Sequence, residues 1–136
     1  MIVLDSSFVI AYHNSRDVHH DAALAAFTAL LDGRWGPLLL PEYVFLEVVT
    51  VLARRRDLGT AVAVGDILLR ANEIEFVPCI DFFSEALKVF RDQGNGRLSF
   101  ADAAIVAIAR ARGAEFVATF DPGFRRVAGL TAVPHS

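Results

Sequence analysis

Hydrophobic and polar positions along the chain form short apolar runs separated by longer segments with helical periodicity. The first apolar run, Ile2–Leu4, ends in Asp-Ser-Ser and predicts a strand followed by a helix that starts near Ser6. Further strands are predicted at 38–40, 74–80 and 115–120, and 130–133 is a candidate for a fifth. Further helices are predicted at 21–31, 42–56, 60–72, 82–91 and 99–111. This alternation indicates an α/β fold with a mainly parallel sheet of four to five strands.

The domain organisation follows from length and continuity. No internal repeat, low-complexity tract or linker rich in Gly, Ser or Pro divides the 136 residues. Domains usually contain about 100–200 residues, so we predict one domain over residues 1–136. Its strands are short and apolar, which is expected when helices cover both faces of a parallel sheet.

Composition and charge exclude several classes of protein. A hydrophobic content of 54 % excludes a disordered chain. Charge-free stretches such as 22–31 reach about half of the roughly 20 residues that a membrane-spanning helix needs. Because Asp5 interrupts the first apolar run and no basic segment precedes it, no signal peptide is predicted. Cys79 is the single cysteine and cannot form an internal disulfide, so we predict a core role for it and a cytoplasmic location. The net charge of −3 argues against a chain that is basic as a whole.

Four acids occupy positions that suggest chemistry. Ligands of such folds bind beyond the carboxyl ends of the strands, and Asp5 and Asp121 directly follow predicted strands. Asp102 lies in the first turn of a helix that follows a glycine-containing loop. Glu47 has apolar neighbours at most adjacent helical positions, so its carboxylate would be costly if desolvated without a metal, a cation or an open cleft.

Each acid also has a structural interpretation. Asp5 fits a helix N-cap, and Asp102 fits a capping box with Ser99. Asp121 precedes Pro-Gly and could begin a turn, while Glu47 could face solvent from a partly exposed helix. Clustered at one sheet edge, however, these carboxylates would repel one another unless a cation bound between them. Mg²⁺ or Mn²⁺, which prefer oxygen ligands, would suit such a cluster.

Other catalytic patterns are missing from the sequence. It contains no Gly-x-x-x-x-Gly-Lys-Ser/Thr loop, no Gly-x-Gly-x-x-Gly after the first strand and no Gly-x-Ser-x-Gly turn. A dehalogenase-type phosphatase would need a second Asp two positions after Asp5. A receiver domain would need a lysine near the final strands, whereas Lys88 is the only lysine and lies in a mid-chain helix.

The segments around the four acids, taken together, resemble a known family. They are LDSS around Asp5, VFLEVVT around Glu47, LSFADAA around Asp102 and ATFDPGF around Asp121. In this order, over essentially the full chain, they look like the successive acidic motifs of PIN-domain ribonucleases. The stretch RDVHHDA at 16–22 is also similar to what such chains show after their first helix. A free-standing domain of this length most resembles a VapC-type toxin of a toxin–antitoxin pair.

The resemblance implies a three-layer α/β/α sandwich whose active site lies at the carboxyl edge of the sheet. It implies endonucleolytic hydrolysis of RNA with Mg²⁺ or Mn²⁺, a homodimer, and inhibition by a cognate antitoxin, as in a type II toxin–antitoxin pair. The family's four acids map onto Asp5, Glu47, Asp102 and Asp121. The Pro-Gly after Asp121 departs from commoner spellings of that motif.

On this hypothesis the four acids are catalytic and three of them bind metal. Asp5 and Asp102 are the main ligands, and Asp121 completes the site or holds a second ion. Glu47 orients or deprotonates the attacking water, or binds a water on the metal. Ser6 and Thr119 are candidates for hydrogen bonds that position these acids, and each could equally be a structural cap.

Two alternatives remain open at this point. The chain could be a metal-dependent nuclease acting on DNA, or a non-enzymatic PIN scaffold that binds a partner or nucleic acid. Phosphate contacts would come from arginines, but the sequence does not say which. The candidates are Arg54, Arg55, Arg56, Arg97, Arg110, Arg112, Arg125 and Arg126.

Overall fold

The protein is described by a computed structural model that covers residues 1–134. Its five strands are β1 (Ile2–Leu4), β2 (Leu38–Pro41), β3 (Ile74–Val77), β4 (Phe116–Ala118) and β5 (Thr131–Val133). Its α-helices are α1 (Ser6–His13), α2 (His20–Leu31), α3 (Glu42–Arg55), α4 (Leu58–Arg70), α5 (Phe83–Asp92) and α6 (Phe100–Arg112). Two short 3₁₀ helices occupy Ile80–Phe82 and Pro122–Arg126.

All five strands belong to one parallel sheet with the order β3-β2-β1-β4-β5. In the register, Ile2 of the central strand lies between Leu38 of β2 and Phe116 of β4. Helices flank the sheet in a three-layer α/β/α arrangement, so the predicted fold class is confirmed. Because β1 and β4 are parallel neighbours, the residues that follow them meet at the same edge of the sheet.

The core is centred on β1, β2, β4 and helix α6. Val3, Leu39 and Val117 at the middle of the three strands are completely buried. Helix α6 packs against β1 and β2, and its residues 102–109 are buried without interruption. Gly113 ends α6 with a φ of 73°, a left-handed conformation that favours glycine. Burial along most of its length fixes α6, and therefore the position of its first turn.

The third strand differs from the prediction. It ends at Val77 rather than at residue 80, because Pro78 has no N–H to donate and the chain then turns into the 3₁₀ helix at Ile80–Phe82. As an edge strand, β3 leaves Glu75 and Phe76 exposed. The expectation that helices cover every strand on both faces is therefore wrong for β3.

Two further expectations concern single features. Cys79 is a free thiol and completely buried, as a core role requires. Among residues 1–134, no helix combines the length and the apolar character needed to cross a bilayer.

The burial of α6 generates a stability prediction. Ile105 is completely buried on this helix, so Ile105→Ala should lower the free energy of unfolding by about 2–5 kcal/mol, through lost burial and a residual cavity. Urea denaturation followed by circular dichroism measures this change. Leu69→Ala is the matched control, because this α4 side chain is 56 % exposed, and its effect should stay within about 0.5 kcal/mol. Equal losses in both variants would contradict the assigned core.

Candidate active site

The carboxylate of Asp5 lies at the point where β1 ends and α1 begins. Its Oδ1 accepts a hydrogen bond from the backbone N–H of Ser6 at 2.8 Å, so Asp5 is the predicted N-cap of α1. Its Oδ2 accepts hydrogen bonds from Thr119 Oγ1 at 2.6 Å and from Ser7 Oγ at 2.9 Å. The side chain is only 3 % exposed. Three donors therefore compensate this buried carboxylate.

The same hydroxyl groups connect the end of β1 to the end of β4. The backbone N–H of Phe120 donates to Ser7 Oγ at 3.0 Å, and that of Asp121 donates to Thr119 Oγ1 at 2.9 Å. The two hydroxyl oxygens are 3.2 Å apart. In addition, the backbone N–H of Asp5 donates to the carbonyl oxygen of Ala118 at 3.0 Å. This network fixes Asp5 relative to the segment that carries Asp121.

Ser7 is a residue that sequence reasoning missed. The sequence pattern indicates only Ser6 and Thr119 as partners of the acids. Ser7 nevertheless donates to Asp5 and accepts from the backbone of Phe120. The second hydroxyl of the Asp-Ser-Ser run was the available signal, since it sits in the first helical turn after a strand.

Asp102 occupies the first turn of α6 and is 7 % exposed. The predicted capping box is present: the N–H of Ser99 donates to Asp102 Oδ2, and the N–H of Asp102 donates to Ser99 Oγ, both at 3.1 Å. Within residues 1–134, no group donates a hydrogen bond to its Oδ1. The capping role thus uses one oxygen and leaves the other for a ligand.

Three of the acids lie close enough for their charges to interact. Burial, together with the charges of Asp5 and Asp121, raises the pKa of Asp102 to about 6. Burial also raises the pKa of Asp5, against the hydrogen bonds from Thr119, Ser7 and Ser6, and the Asp121 charge acts in the same direction as burial. These carboxylates therefore feel one another's charge, and a cation bound among them would relieve the repulsion.

Asp121 follows β4 by three residues and is partly exposed. Its Oδ1 accepts the N–H of Gly123 at 2.8 Å, which caps the 3₁₀ helix at Pro122–Arg126. A Cβ atom at Gly123 would lie 3.2 Å from that oxygen, so this close approach favours glycine, which has no Cβ. The predicted turn is present, and its acid also contributes charge to the site.

Glu47 differs from the expectation based on its apolar neighbours. Helix α3 buries Val44 and Val48, whereas Glu47 lies on another face and is exposed. No desolvation cost therefore requires a cation there. Its Oε1 accepts a hydrogen bond from Ser6 Oγ, the residue after Asp5. Glu47 is thus held at the rim of the site by the predicted partner Ser6.

Donor type and charge decide whether these residues suit a metal ion. Within residues 1–134, no three His, Cys, Asp or Glu side chains are arranged as a preformed metal site. Asp102, Asp121 and Glu47, however, each keep one carboxylate oxygen that accepts no hydrogen bond from the described chain. The available ligand atoms are carboxylate oxygens, and the charges of Asp5 and Asp121 raise the pKa of Asp102, which fits a hard cation such as Mg²⁺ or Mn²⁺. Asp102 and Asp121 could hold it through these oxygens, and Asp5 could do so through Oδ1, which accepts a single hydrogen bond.

A parallel sheet between two layers of helices, with acids at its carboxyl edge, is the arrangement expected from the PIN-domain resemblance. Residues 2–130 match the family described as PIN domain. The chain belongs to the PIN-domain family, as predicted.

Individual relatives point to the VapC-type members of the family, which confirms the predicted resemblance. The chain is 30 % identical over 135 residues to Ribonuclease VapC7 of Mycobacterium tuberculosis, covering 99 % of this chain and 90 % of that protein. It is similar to the solved structure of VapC20 of the same species, described as a sarcin-ricin loop cleaving toxin. That match has a TM-score of 0.83 and 25 % identity and covers 92 % and 93 % of the two chains. VapBC2 of Rickettsia felis, bound to a promoter DNA fragment, shares the fold, with a TM-score of 0.68, 18 % identity and 97 % of both chains covered.

The raised pKa of Asp102 generates a pH prediction. The folded state holds this proton more tightly than the unfolded state, so stability should fall as the pH rises from 3.8 to about 6. Asp102→Asn removes the charge while its amide oxygen can still accept from Ser99. We expect this variant to be more stable than the wild type above pH 6 and less dependent on pH below it. Urea midpoints measured across this range, in a buffer with chelator, provide the comparison.

Asp66→Asn is the control for this experiment, because Asp66 is exposed on α4. Its pH dependence should follow that of the wild type. If Asp102→Asn also followed the wild type, Asp102 would not be the group that titrates near pH 6.

Proposed function

We propose that the protein is a divalent-metal-dependent endoribonuclease that acts as the toxin of a type II toxin–antitoxin pair. The observation that carries this proposal is the mutual charge of Asp5, Asp102 and Asp121 at the carboxyl edge of the sheet. Membership of the PIN-domain family supports it. The relative named Ribonuclease VapC7 and the solved toxin VapC20 support RNA as the substrate and toxicity as the role.

In this proposal Asp5 and Asp102 are the main ligands of Mg²⁺ or Mn²⁺, and Asp121 completes the site or holds a second ion. When bound, the cation lowers the pKa of a water and screens the charge of the phosphate. Thr119 and Ser7 keep the Asp5 carboxylate in place through their hydroxyl donors. The capping box does the same for Asp102. The chain thus supplies fixed negative oxygens, so that the ligands need little reorganisation when the cation binds.

Glu47 is proposed to orient or deprotonate the attacking water. Its exposed carboxylate can be reached by solvent, which a general base requires. The hydrogen bond from Ser6 Oγ occupies Oε1 and leaves Oε2 to accept from water. Ser6 is also the residue whose backbone N–H donates to Asp5. One residue therefore couples the position of the proposed base to that of the proposed metal ligand.

The proposed partners are an RNA substrate, a cognate antitoxin and a second copy of the chain. The similarity of the fold to the VapBC2 complex supports an antitoxin as partner. We propose a cytoplasmic location, where RNA is available and the single Cys79 stays reduced. The proposed unit of function is the one domain formed by residues 1–136.

The proposal predicts that Asp5→Asn and Asp102→Asn lose RNA cleavage while they stay folded. Each change removes one negative charge from the proposed ligands, and the rate should fall at least about a hundredfold at matched Mg²⁺ or Mn²⁺ concentration. Mapping of RNA ends after incubation with each variant gives activity and cleavage position together. Circular dichroism checks that the variants are folded.

Asp66→Asn again serves as the matched control and should cleave like the wild type. Full activity of Asp5→Asn or Asp102→Asn would remove the assignment of that residue. A wild type that cleaved a DNA strand of the same sequence but not RNA would support the DNA alternative. A folded wild type without cleavage of either would support the non-enzymatic scaffold.

A further inference from the structure

A cavity of about 1060 Å³ lies between α5, α6 and the 3₁₀ helix at Pro122–Arg126. Two of its lining residues adjoin residues that position the acids. Leu98, which precedes the capping residue Ser99, lines the cavity. Gly123, whose N–H donates to Asp121 Oδ1, also lines it. The cavity therefore borders the residue before the α6 cap and the turn after Asp121.

This cavity, called the basic groove below, is lined by positive side chains in a chain whose net charge is −3. The cations are exposed and are Lys88, Arg97, Arg110 and Arg126. Two acids, Glu85 and Asp92, also line it, so the cations are in excess. Within residues 1–134, none of the four cations forms an ion pair or a side-chain hydrogen bond. Their positive charge is therefore available to an anionic ligand.

The spacing of the arginines along the basic groove favours an extended anion over a small one. Arg110 follows Asp102 by eight residues on α6, which places it about 12 Å further along the helix axis. Arg97 precedes the start of the same helix. Guanidinium groups spread along such a path suit a chain of phosphates better than a single small anion. Through Leu98 and Gly123 the groove adjoins the segments that carry the carboxylates proposed to perform cleavage.

We propose that the basic groove holds the phosphate backbone of single-stranded RNA and directs the strand to the acid site, with Arg97, Arg110 and Arg126 as phosphate contacts. This inference rests on the proposed function. It favours RNA over an acidic polypeptide because Leu98, which precedes the cap of Asp102, and Gly123, which donates to Asp121, both line the groove, and these acids are where an RNA strand would be cut. Phosphate contacts of this kind fix the position of the strand and carry no sequence information.

Arg112, which is paired with an acid outside the basic groove, provides a control. Arg112 lies on α6 close to Arg110 in sequence, but its guanidinium forms a bidentate pair with Glu75 of β3, at 2.7 and 2.8 Å. It does not line the basic groove. Arg112→Gln therefore removes one positive charge from the same helix without changing the groove.

The test is the binding of a short, fluorescein-labelled single-stranded RNA of mixed sequence, measured by anisotropy in chelator so that the strand stays intact. The triple variant Arg97→Gln, Arg110→Gln, Arg126→Gln should bind at least about tenfold more weakly than the wild type. Each lost phosphate contact on a single strand lowers the salt slope by about 0.7, so the slope should fall by about 2. Arg112→Gln should bind like the wild type with an unchanged slope.

Each other outcome overturns the inference in a distinguishable way. If the wild type binds RNA and the triple variant binds equally well, the groove assignment is wrong, while cleavage by the wild type leaves the proposed function intact. If the triple variant loses affinity only for a polyglutamate peptide, the groove accepts an acidic polypeptide and not RNA. If the wild type neither binds nor cleaves RNA, the proposed function fails together with the groove.

Discussion

The buried carboxylate of Asp5 is the constraint on which the rest of the site depends. A buried charge is costly without compensation, and the Asp5 residue is only 3 % exposed. Its three donors come from Ser6, Ser7 and Thr119. Two of them follow β1 and the third follows β4, so the compensation requires both strand ends to stay together. Because the sheet is parallel and β1 and β4 are neighbours, the fold brings these donors to one edge.

Capping and site formation use the same side chains here. Asp5, Asp102 and Asp121 each accept a backbone N–H at the start of a helix, which stabilises local structure and fixes the carboxylate. Helix N-termini also favour negative charge. For Asp102 and Asp121 the cap occupies one oxygen, so the other can meet a ligand. The structural and chemical interpretations of these acids are therefore compatible, since burial and the charges of Asp5 and Asp121 raise the pKa of Asp102 to about 6 despite its capping hydrogen bonds.

Local patterns in the sequence predicted the strands, helices and caps, because apolar runs and capping residues act over a few positions. They placed Asp5, Asp102 and Asp121 at element ends for the same reason. The exposure of Glu47, the edge position of β3 and the grouping of arginines in the basic groove depend on how distant elements pack. Those features could not be predicted from local patterns. Ser7 is an intermediate case: its hydroxyl is evident from the sequence, but its partner Phe120 is distant in sequence, so the hydrogen bond between them could not be predicted.

The central claim is that clustered carboxylates at the sheet edge form a cation site. Calorimetric titration of Mn²⁺ into the metal-free protein near pH 6 tests this claim most directly, because Asp102 is then partly protonated. The account predicts binding at millimolar concentrations or below, with proton release detected as a heat that changes with the buffer, and no such binding by Asp5→Asn. Absence of binding by the wild type, or equal binding by Asp5→Asn, would contradict it.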